Sequence, residues 1–271
     1  MNLWDGTQEL EVTPSVWDGG TEVEARAAIM PFGYSSADHM VASAPFFIAH
    51  RGGSRNWPEM TPRGMTESAA RGVGALEISL GRTSDGVWFG LHDDTLDRTA
   101  GVTGLPTART MTWAEVQTYK NGTDRYYLLE ELVKPWAKSH VLFIDPKYDN
   151  FRTAELFPIL NGLIAPQRVV MKSYGNNQRF ANDSRAAGYK SWGYYYPADF
   201  DSGMYEANKH VWDYLGIPYD AATPYWDLIK LENKPIIAHI APTRAAVDMG
   251  LSKGAKGIMT SGITAAFGGG I

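Results

Sequence analysis

An apolar run meets a polar turn at Phe46-Phe47-Ile48-Ala49-His50-Arg51-Gly52-Gly53. A short apolar run that stops at glycines predicts a buried strand followed by a turn. Comparable runs recur along the chain, and segments with helical periodicity separate them. The predicted strands lie at 46–49, 75–80, 141–144, 169–173, 189–195, 212–217, 235–240 and 257–260. Eight strands that alternate with helices predict an α/β fold, a closed parallel (β/α)8 TIM barrel.

The predicted helices lie between these strands, and several are followed by a glycine that suits a helix end. They lie at 66–71, 130–139, 154–164, 177–187, 222–232 and 243–253. Residues of about 94–128 break the alternation, because they contain Gly101, Gly104 and Pro106 and only a short helix-like stretch. We interpret this segment as an insertion after the second strand, lying over the mouth of the barrel.

The N-terminal segment contains a duplicated motif. LWDGTQEL at 3–10 and VWDGGTEV at 16–23 align without gaps, and Asp-Gly in each copy predicts a tight turn between two short strands. We therefore divide the chain into a β-rich arm at 1–44 and a barrel at 45–271. The arm either covers the bottom of the barrel or docks onto another protein.

Composition excludes several classes of function. A net charge of -5 with 25 dispersed Lys and Arg offers no basic surface for nucleic acid. The absence of cysteine excludes disulfides and thiolate metal sites, so a metal would need oxygen or imidazole ligands. The sequence shows neither a signal peptide nor an apolar run long enough for a membrane span, which predicts a soluble protein.

Polar side chains follow several of the predicted strands. His50, His92, and the pair Asp145 and Lys147 each come directly after an apolar run, while Glu77 lies within one. Active sites of eight-fold barrels lie at the carboxyl ends of the strands, so these residues predict one shared site. Two imidazoles can exchange protons near neutral pH, and arginine and lysine can compensate phosphoryl charge. The set is typical of a site that cleaves a phosphodiester.

The motifs resemble those of the glycerophosphodiester phosphodiesterase family. In that family the first strand ends in His-Arg-Gly and leads to Pro-Glu-Asn-Thr, then to Glu-x-Asp and His-Asp-x-x-Leu-x-Arg-Thr. The corresponding segments here are His50-Arg51-Gly52, Pro58-Glu59-Met60-Thr61, Glu77-Ile78-Ser79 and 92–99. The resemblance extends over about 45–262 and is strongest at 46–99.

The resemblance implies a role for each residue and a reaction. His50 and His92 would form an acid-base pair, Arg51 and Lys147 would bind the phosphate, and Glu77 and Asp145 would bind one Mg²⁺ or Ca²⁺ ion. Ser79 would offer the ion a neutral hydroxyl, and either Glu59, Asp93 or water would compensate for the missing carboxylate. Ser173, which closes the fourth strand, is a further candidate for a phosphate-binding hydroxyl. The glycerol hydroxyl beside the ester would attack phosphorus, and water would open the resulting cyclic phosphate. The products would be glycerol phosphate and an alcohol, from a small substrate or a glycerol-phosphate polymer of a host envelope.

The sequence departs from the family pattern at four positions. Ser79 replaces the second carboxylate of Glu-x-Asp, which should weaken metal binding. Asp145 replaces a longer Glu, Met60 replaces Asn, and Ser261 replaces Asp near the end of the chain.

Other interpretations remain open at this stage. WDGT openings resemble those of phage tail proteins, which would make this a virion tail component that binds a receptor and contacts other tail proteins; otherwise the protein would be cytoplasmic. A barrel of the sphingomyelinase D type is a third possibility. His39, His140, His210 and His239 are interpreted as structural or exposed, His239 with least support, and one or two of the aromatic residues at 192–196 are candidates for a pocket wall.

Overall fold

The structure, a computed structural model, describes residues 15–18, 21–24 and 33–268, and eight parallel strands form its centre. They are β1 (Phe46–Ala49), β2 (Ala75–Arg82), β3 (Val141–Asp145), β4 (Val169–Tyr174), β5 (Lys190–Tyr194), β6 (Tyr214–Pro218), β7 (Ile236–Ala241) and β8 (Gly257–Thr260). Each strand pairs with the next, and β8 pairs with β1. The predicted (β/α)8 barrel is confirmed, and the observed strand ends differ from the predicted ones by at most two residues.

Helices surround the barrel, and their ends differ from the predicted ends in both directions. The α-helices lie at Ala37–Ala42, Pro62–Ala70, Asp97–Ala100, Trp113–Val116, Leu129–Val133, Thr153–Leu163, Gln178–Ala186, Pro197–Asp201, Met204–Asn208, Thr223–Lys230, Arg244–Ser252 and Ile263–Phe267. Single 3₁₀ turns lie at His50–Gly52, Ala108–Thr110, Lys134–Trp136, Lys147–Asp149, Pro166–Arg168 and Lys209–Val211.

Side-chain alternation along the strands separates two cores. One set of alternate residues packs between strands and helices, and includes Leu142 and Ile144 of β3. The other set fills the barrel interior, and includes Val141 and Phe143 of the same strand. Since successive side chains of a strand point to opposite faces, this alternation also decides which polar residues face the interior.

The lower part of the interior is apolar and is closed by the helix Ala37–Ala42. Ala37 and Met40 of this helix pack with Phe46, Ala75 and Val141, residues at the amino ends of their strands. The polar residues of the site therefore lie at the opposite, carboxyl end. The helix lies within the predicted arm at 1–44, and the division of the chain at residue 44 stays a prediction.

The segment after β2 forms a small core of its own. A short strand, Trp88–Gly90, pairs antiparallel with the end of β2. Phe89 packs with Leu96, Val116 and Tyr126 of the insertion. In the described part of the chain, no side chain from 94–128 lines the cavity at the carboxyl ends of the strands, and the position of the insertion over the mouth stays a prediction.

The second copy of the duplicated motif forms two short strands. Ser15–Asp18 and Thr21–Glu24 pair antiparallel, as expected of a strand-turn-strand unit. The first copy, at 3–10, lies outside the described residues. Among the helices of the described ranges, none is both long and apolar enough to cross a membrane.

Candidate active site

A cavity of about 190 Å³ opens at the carboxyl ends of the strands. Its walls combine imidazole, cationic and aromatic side chains from most of the strand ends. The lining residues are His50, Arg51, His92, Lys147, Lys172, Trp192, Tyr194, Tyr196, His239, Ile240 and Met259. The two histidines predicted to share one site thus line the same cavity, together with Arg51 and Lys147.

His50 lies in the turn that follows β1, and only 5% of its surface is exposed. Burial lowers the pKa of His50 well below its usual value, because a buried imidazolium loses its hydration. The charge of Glu77 opposes this effect, and Lys172 and Arg51 add to it. Its Nδ1 atom has no hydrogen-bond partner within the described part of the chain. A neutral ring with a free nitrogen is suited to exchange a proton with a bound ligand.

The backbone of Arg51 is in the left-handed region, with φ of 52°. This conformation directs the Arg51 N–H to Oε2 of Glu77, at 2.7 Å. The Arg51 side chain donates to Oε2 of Glu59 at 3.1 Å and also lines the cavity. The strained turn therefore links the first strand to the second strand below the cavity.

His92 is oriented by a carboxylate. Its Nδ1 lies 2.7 Å from Oδ1 of Asp93, and Arg98 Nε donates to Oδ2 of Asp93 at 2.6 Å. Partial burial lowers the pKa of His92, and the hydrogen bond to Asp93 opposes that effect. The same hydrogen bond and Arg98 hold the pKa of Asp93 well below its usual range, so Asp93 stays ionised. An ionised carboxylate on Nδ1 leaves Nε2 of His92 as the nitrogen available to a ligand.

Glu77 of β2 is fully buried and has partners on both oxygens. Lys172 Nζ and Ser79 Oγ donate to Oε1 at 2.8 Å and 2.9 Å, and the Arg51 N–H donates to Oε2. Burial by itself would raise the pKa of Glu77, but Lys172 and the other nearby positive groups hold it well below its usual value. Ser79 is two residues from Glu77, so both side chains face the interior.

Lys172 was not among the predicted site residues. It faces the interior because Val170, two residues earlier in β4, packs there. Ser173, which was predicted as a phosphate-binding hydroxyl, follows the alternation of Val169 and Met171, and both of these pack between strands and helices. Ser173 therefore lies on the face of β4 that points away from the barrel interior, and its predicted contact with phosphate was wrong. Lys172 could have been identified from the sequence, because it continues the apolar run Val169-Val-Met-Lys172 and lysine is almost never buried without a partner.

Lys172 is positioned by two carboxylates and two aromatic rings. Its Nζ lies 2.8 Å from Glu77 and 3.1 Å from Asp145. The same atom lies 5.7 Å and 5.4 Å from the ring centroids of Trp192 and Tyr194. Burial alone would lower the pKa of Lys172, but Glu77 and Asp145 raise it above its usual value, so the ammonium stays charged.

Asp145 ends β3 and contacts two ammonium groups. Lys147 Nζ lies 2.6 Å from Asp145 Oδ2, and Lys172 lies on the same oxygen. Burial would raise the pKa of Asp145, but Lys147 and Lys172 lower it. Asp145 is therefore the link between the two lysines that line the cavity.

Glu59 does not join Glu77 and Asp145. It pairs with Arg51 at 3.1 Å and with Arg98 at 2.8 Å. Over residues 33–268, no three His, Asp or Glu side chains are grouped so that they could hold a metal ion. Glu77 and Asp145 are already ion-paired, and Ser79 is hydrogen-bonded to Glu77. The predicted ligand set of Glu77, Asp145, Glu59 and Ser79 does not fit a divalent ion in this arrangement.

Aromatic side chains of β5 and of the residues just after it form another wall of the cavity. Trp192, Tyr194 and Tyr196 line the cavity, and the His239 ring lies 5.7 Å from that of Tyr194 and 5.5 Å from that of Tyr196. Burial lowers the pKa of His239 to about 3, which keeps the ring neutral. Our interpretation of the aromatic run assigned one or two residues to a pocket, and three of them line it.

Positive charge faces the cavity, while negative charge lies behind it. The ionised residues that line it are Arg51, Lys147 and Lys172, whereas Glu77 and Asp145 lie beneath their ammonium partners. This arrangement favours the binding of an anion in the cavity, and the N–H donors of the three cations suit the oxygens of a phosphoryl group.

Comparison with known proteins assigns a family to this arrangement. The sequence profile of the Glycerophosphoryl diester phosphodiesterase family matches residues 50–187, just over half of the chain. The chain belongs to this family. Its matched region begins at His50 and contains Glu77, His92 and Lys172.

Curated relatives match over shorter segments. Glycerophosphodiester phosphodiesterase 1 of Homo sapiens is 44% identical over 57 residues, which cover 21% of this chain and 17% of the human protein. A protein named Probable glycerophosphodiester phosphodiesterase 1, from Mycobacterium tuberculosis, is 36% identical over 86 residues, which cover 32% of this chain and 31% of that protein. The matched segments thus span less than a third of the length of these relatives.

Solved structures share the fold over nearly their whole length. An Oleispira antarctica phosphodiesterase, in complex with the product sn-glycerol-3-phosphate, superposes with a TM-score of 0.69 at 17% identity, covering 84% of this chain and 97% of that one. A glycerophosphoryl diester phosphodiesterase from Parabacteroides distasonis gives a TM-score of 0.66 at 17% identity, covering 87% and 93%. These structures establish the similarity of fold.

Proposed function

We propose that this protein hydrolyses glycerophosphodiesters to glycerol phosphate and an alcohol. The observation that carries the proposal is that His50 and His92 line one cavity whose ionised lining groups are all cations. Family membership supports the same class of substrate, and the Oleispira antarctica structure holds the matching product, sn-glycerol-3-phosphate.

The proposed reaction has two steps. In the first, the glycerol hydroxyl next to the ester loses its proton to one imidazole and its oxygen bonds to phosphorus. The bond from phosphorus to the alcohol oxygen breaks, and the other imidazole protonates that oxygen. In the second step water opens the cyclic phosphate with the two proton roles reversed. His50 and His92 are suited to this exchange because both line the cavity, one with a free Nδ1 and one with its Nδ1 on Asp93.

Cationic side chains would stabilise the charge that develops on phosphorus. Arg51 can offer guanidinium donors, and Lys147 and Lys172 can offer ammonium donors, to the phosphoryl oxygens. The family resemblance assigns this charge compensation to a divalent ion, but Glu77 and Asp145 are already paired with the two lysines. The aromatic wall would contact the alcohol part of the substrate.

Hydrolysis of glycerophosphocholine followed by ³¹P NMR tests the proposal. We expect the diester resonance to disappear while that of glycerol phosphate grows, with a transient cyclic phosphate. Poly(glycerol phosphate) is the second substrate, and release of glycerol phosphate from it would indicate an envelope polymer as the natural substrate. An unchanged spectrum with both substrates, with and without added Mg²⁺ or Ca²⁺, would refute the proposal.

Ser79 and the duplicated N-terminal motif favour a second candidate function, that of a structural or receptor-binding component of a phage tail. Ser79 removes one carboxylate from the site, as expected of a barrel that binds without efficient turnover. The arm would then attach the barrel to other tail proteins. Saturable binding of poly(glycerol phosphate) without hydrolysis would favour this second function over the first.

A further inference from the structure

The Lys172 ammonium lies between the two buried carboxylates of the site. Its Nζ is 2.8 Å from Glu77 Oε1 and 3.1 Å from Asp145 Oδ2. The residue is only 4% exposed, and its partners are 0% and 3% exposed. Glu77 and Asp145 come from adjacent strands, and Lys172 reaches them from the next strand along the barrel. The buried Lys172 ammonium thus occupies the position that a metal ion bridging the two carboxylates would occupy.

The charges of this group balance without any added ion. Glu77 and Asp145 contribute two negative charges, and Lys147 and Lys172 contribute two positive charges at ion-pair distance. A divalent ion would leave two uncompensated positive charges in a buried region, and it would lie within contact distance of an ammonium. Metal binding would therefore require Lys172 to leave.

Ser79 fits this arrangement. The family pattern has a carboxylate where Ser79 stands, and Ser79 instead donates its hydroxyl to Glu77 Oε1 at 2.9 Å. The site thus has one negative charge fewer at 79 and contains one positive charge at 172. These two features together make the site complementary to a fixed monovalent cation.

We propose that the Lys172 ammonium is the resident cation of this site, in place of the divalent metal that family resemblance implies, and that it compensates phosphoryl charge directly. This inference rests on the proposed phosphodiesterase function. Lys172 lines the cavity and donates one of its three ammonium N–H bonds to Glu77 Oε1, so donors remain for a phosphoryl oxygen. The Trp192 and Tyr194 rings at 5.7 Å and 5.4 Å hold the ammonium in one position.

The parent protein is titrated with Ca²⁺ and with Mg²⁺ by calorimetry after treatment with EDTA. We expect no saturable binding up to millimolar concentrations and no rise in melting temperature with either ion. Glycerophosphocholine hydrolysis should change by less than about twofold between EDTA and added metal, because the cation is covalently part of the chain. Binding of one ion per chain that Glu77→Gln abolishes would overturn the inference.

Removing the ammonium should create a metal site. Lys172→Gln leaves Glu77 and Asp145 without this partner, so weak Ca²⁺ binding should appear. Ser79→Asp with Lys172→Gln adds a third carboxylate, and its affinity should be at least about tenfold higher than that of Lys172→Gln alone. Lys190→Gln, a half-buried lysine at the start of the next strand paired with Asp38 on the surface, is the matched control and should bind no ion. A folded double variant without Ca²⁺ affinity would also overturn the inference.

The two proposals fail in different ways. Hydrolysis that occurs only with added metal would retain the phosphodiesterase function and reject the role of Lys172. Absence of hydrolysis under every condition would reject the function, while the calorimetric titration would still report whether Lys172 occupies the cation position. If Lys172→Gln does not fold, the titration of the parent protein decides the question.

Discussion

The two histidines at the cavity are held in different ways. His50 is buried in the turn after β1, whereas His92 is partly exposed and is bonded to Asp93. Both rings reach one cavity although 42 positions separate them in the chain. The proposed reaction needs both, because one ring must accept a proton while the other donates one.

We expect His50→Gln and His92→Gln each to lower kcat/KM for glycerophosphocholine by at least about 10²-fold, since a general acid or base contributes about that much. His210→Gln is the control, because this exposed histidine precedes β6 at the opposite end of the barrel. Steady-state hydrolysis rates with circular dichroism as a check of folding are the measurement. Wild-type rates in either variant would exclude that ring from proton transfer.

Asp93 should control the protonation of His92. The hydrogen bond that His92 donates to Asp93 raises the pKa of His92 against the effect of burial, so Asp93→Asn should lower that pKa further. The protonated form would then be populated only at a lower pH. An NMR titration of the His92 ring measures the change, and Asp94→Asn, which removes a carboxylate paired with Arg109 instead, is the neighbouring control. A His92 titration that is unchanged in Asp93→Asn would contradict the orienting role.

Strand β8 pairs closely with β1 because Gly257, which has no side chain, lies opposite Phe46. A Cβ atom on Gly257 would lie 2.2 Å from the ring of Phe46, the paired residue of β1. This contact is too short for carbon atoms, and the Phe46 ring is fully buried. Only glycine allows the close approach at which the last strand pairs with the first.

Gly257→Ala should therefore lower the free energy of unfolding by about 1–3 kcal/mol, the usual range for an overpacked core. Gly162→Ala is the matched control. Gly162 lies within the helix Thr153–Leu163, and no neighbouring atom lies within 4 Å of the position that an alanine methyl group would take there. Alanine at 162 should therefore be neutral or stabilise the protein by up to about 1 kcal/mol. Urea unfolding of both variants decides between these expectations, and equal stability of the two would mean that β1 and β8 can separate slightly.

The insertion after β2 is tied to the site through Glu59. Arg98 and Asn121 of the insertion bond to the side chain and the backbone of Glu59, and Arg98 also bonds to Asp93. The small core around Phe89 and Tyr126 packs this segment onto the second strand. The insertion thus supports Arg51 and His92 from the side of the cavity.

Buried neutral histidines make the stability of the whole molecule depend on pH. Burial lowers the pKa of His140 to about 4, and the ring packs edge-on against Trp136 at 4.9 Å. Between pH 6.5 and 4 the unfolded chain binds a proton at this histidine and the folded chain does not, so lower pH favours unfolding. His239, with a pKa of about 3, acts in the same direction.

His140→Gln should remove part of this dependence. Relative to pH 7, the parent protein should lose about 2 kcal/mol more of its unfolding free energy at about pH 4.5 than the variant does. Urea unfolding at the two pH values is the measurement, and His210→Gln, an exposed histidine, is the control that should follow the parent. Parallel losses in the parent and in His140→Gln would show that His140 is not the titrating group.

Local patterns were sufficient to predict the barrel. Eight apolar runs separated by helical segments determine a parallel sheet covered by helices, because no other arrangement buries both faces of such strands. The same patterns placed His50, His92, Asp145 and Lys147 after apolar runs and Glu77 within one. Their convergence then follows from closure, since the carboxyl ends of all strands meet at one rim.

Partnerships across the barrel could not be predicted in this way. Lys172 belongs to the site because the alternation of β4 directs it inward, and it faces Glu77, which is 95 positions away in the chain. Glu59 does not join the predicted metal ligands, because it is ion-paired with Arg51 and Arg98. Ion pairs depend on three-dimensional distance and burial, whereas strand and helix patterns depend on neighbours along the chain. The sequence by itself therefore determined which residues lie at the carboxyl end of the barrel. Only the packing of the closed barrel decided which of them form ion pairs with one another.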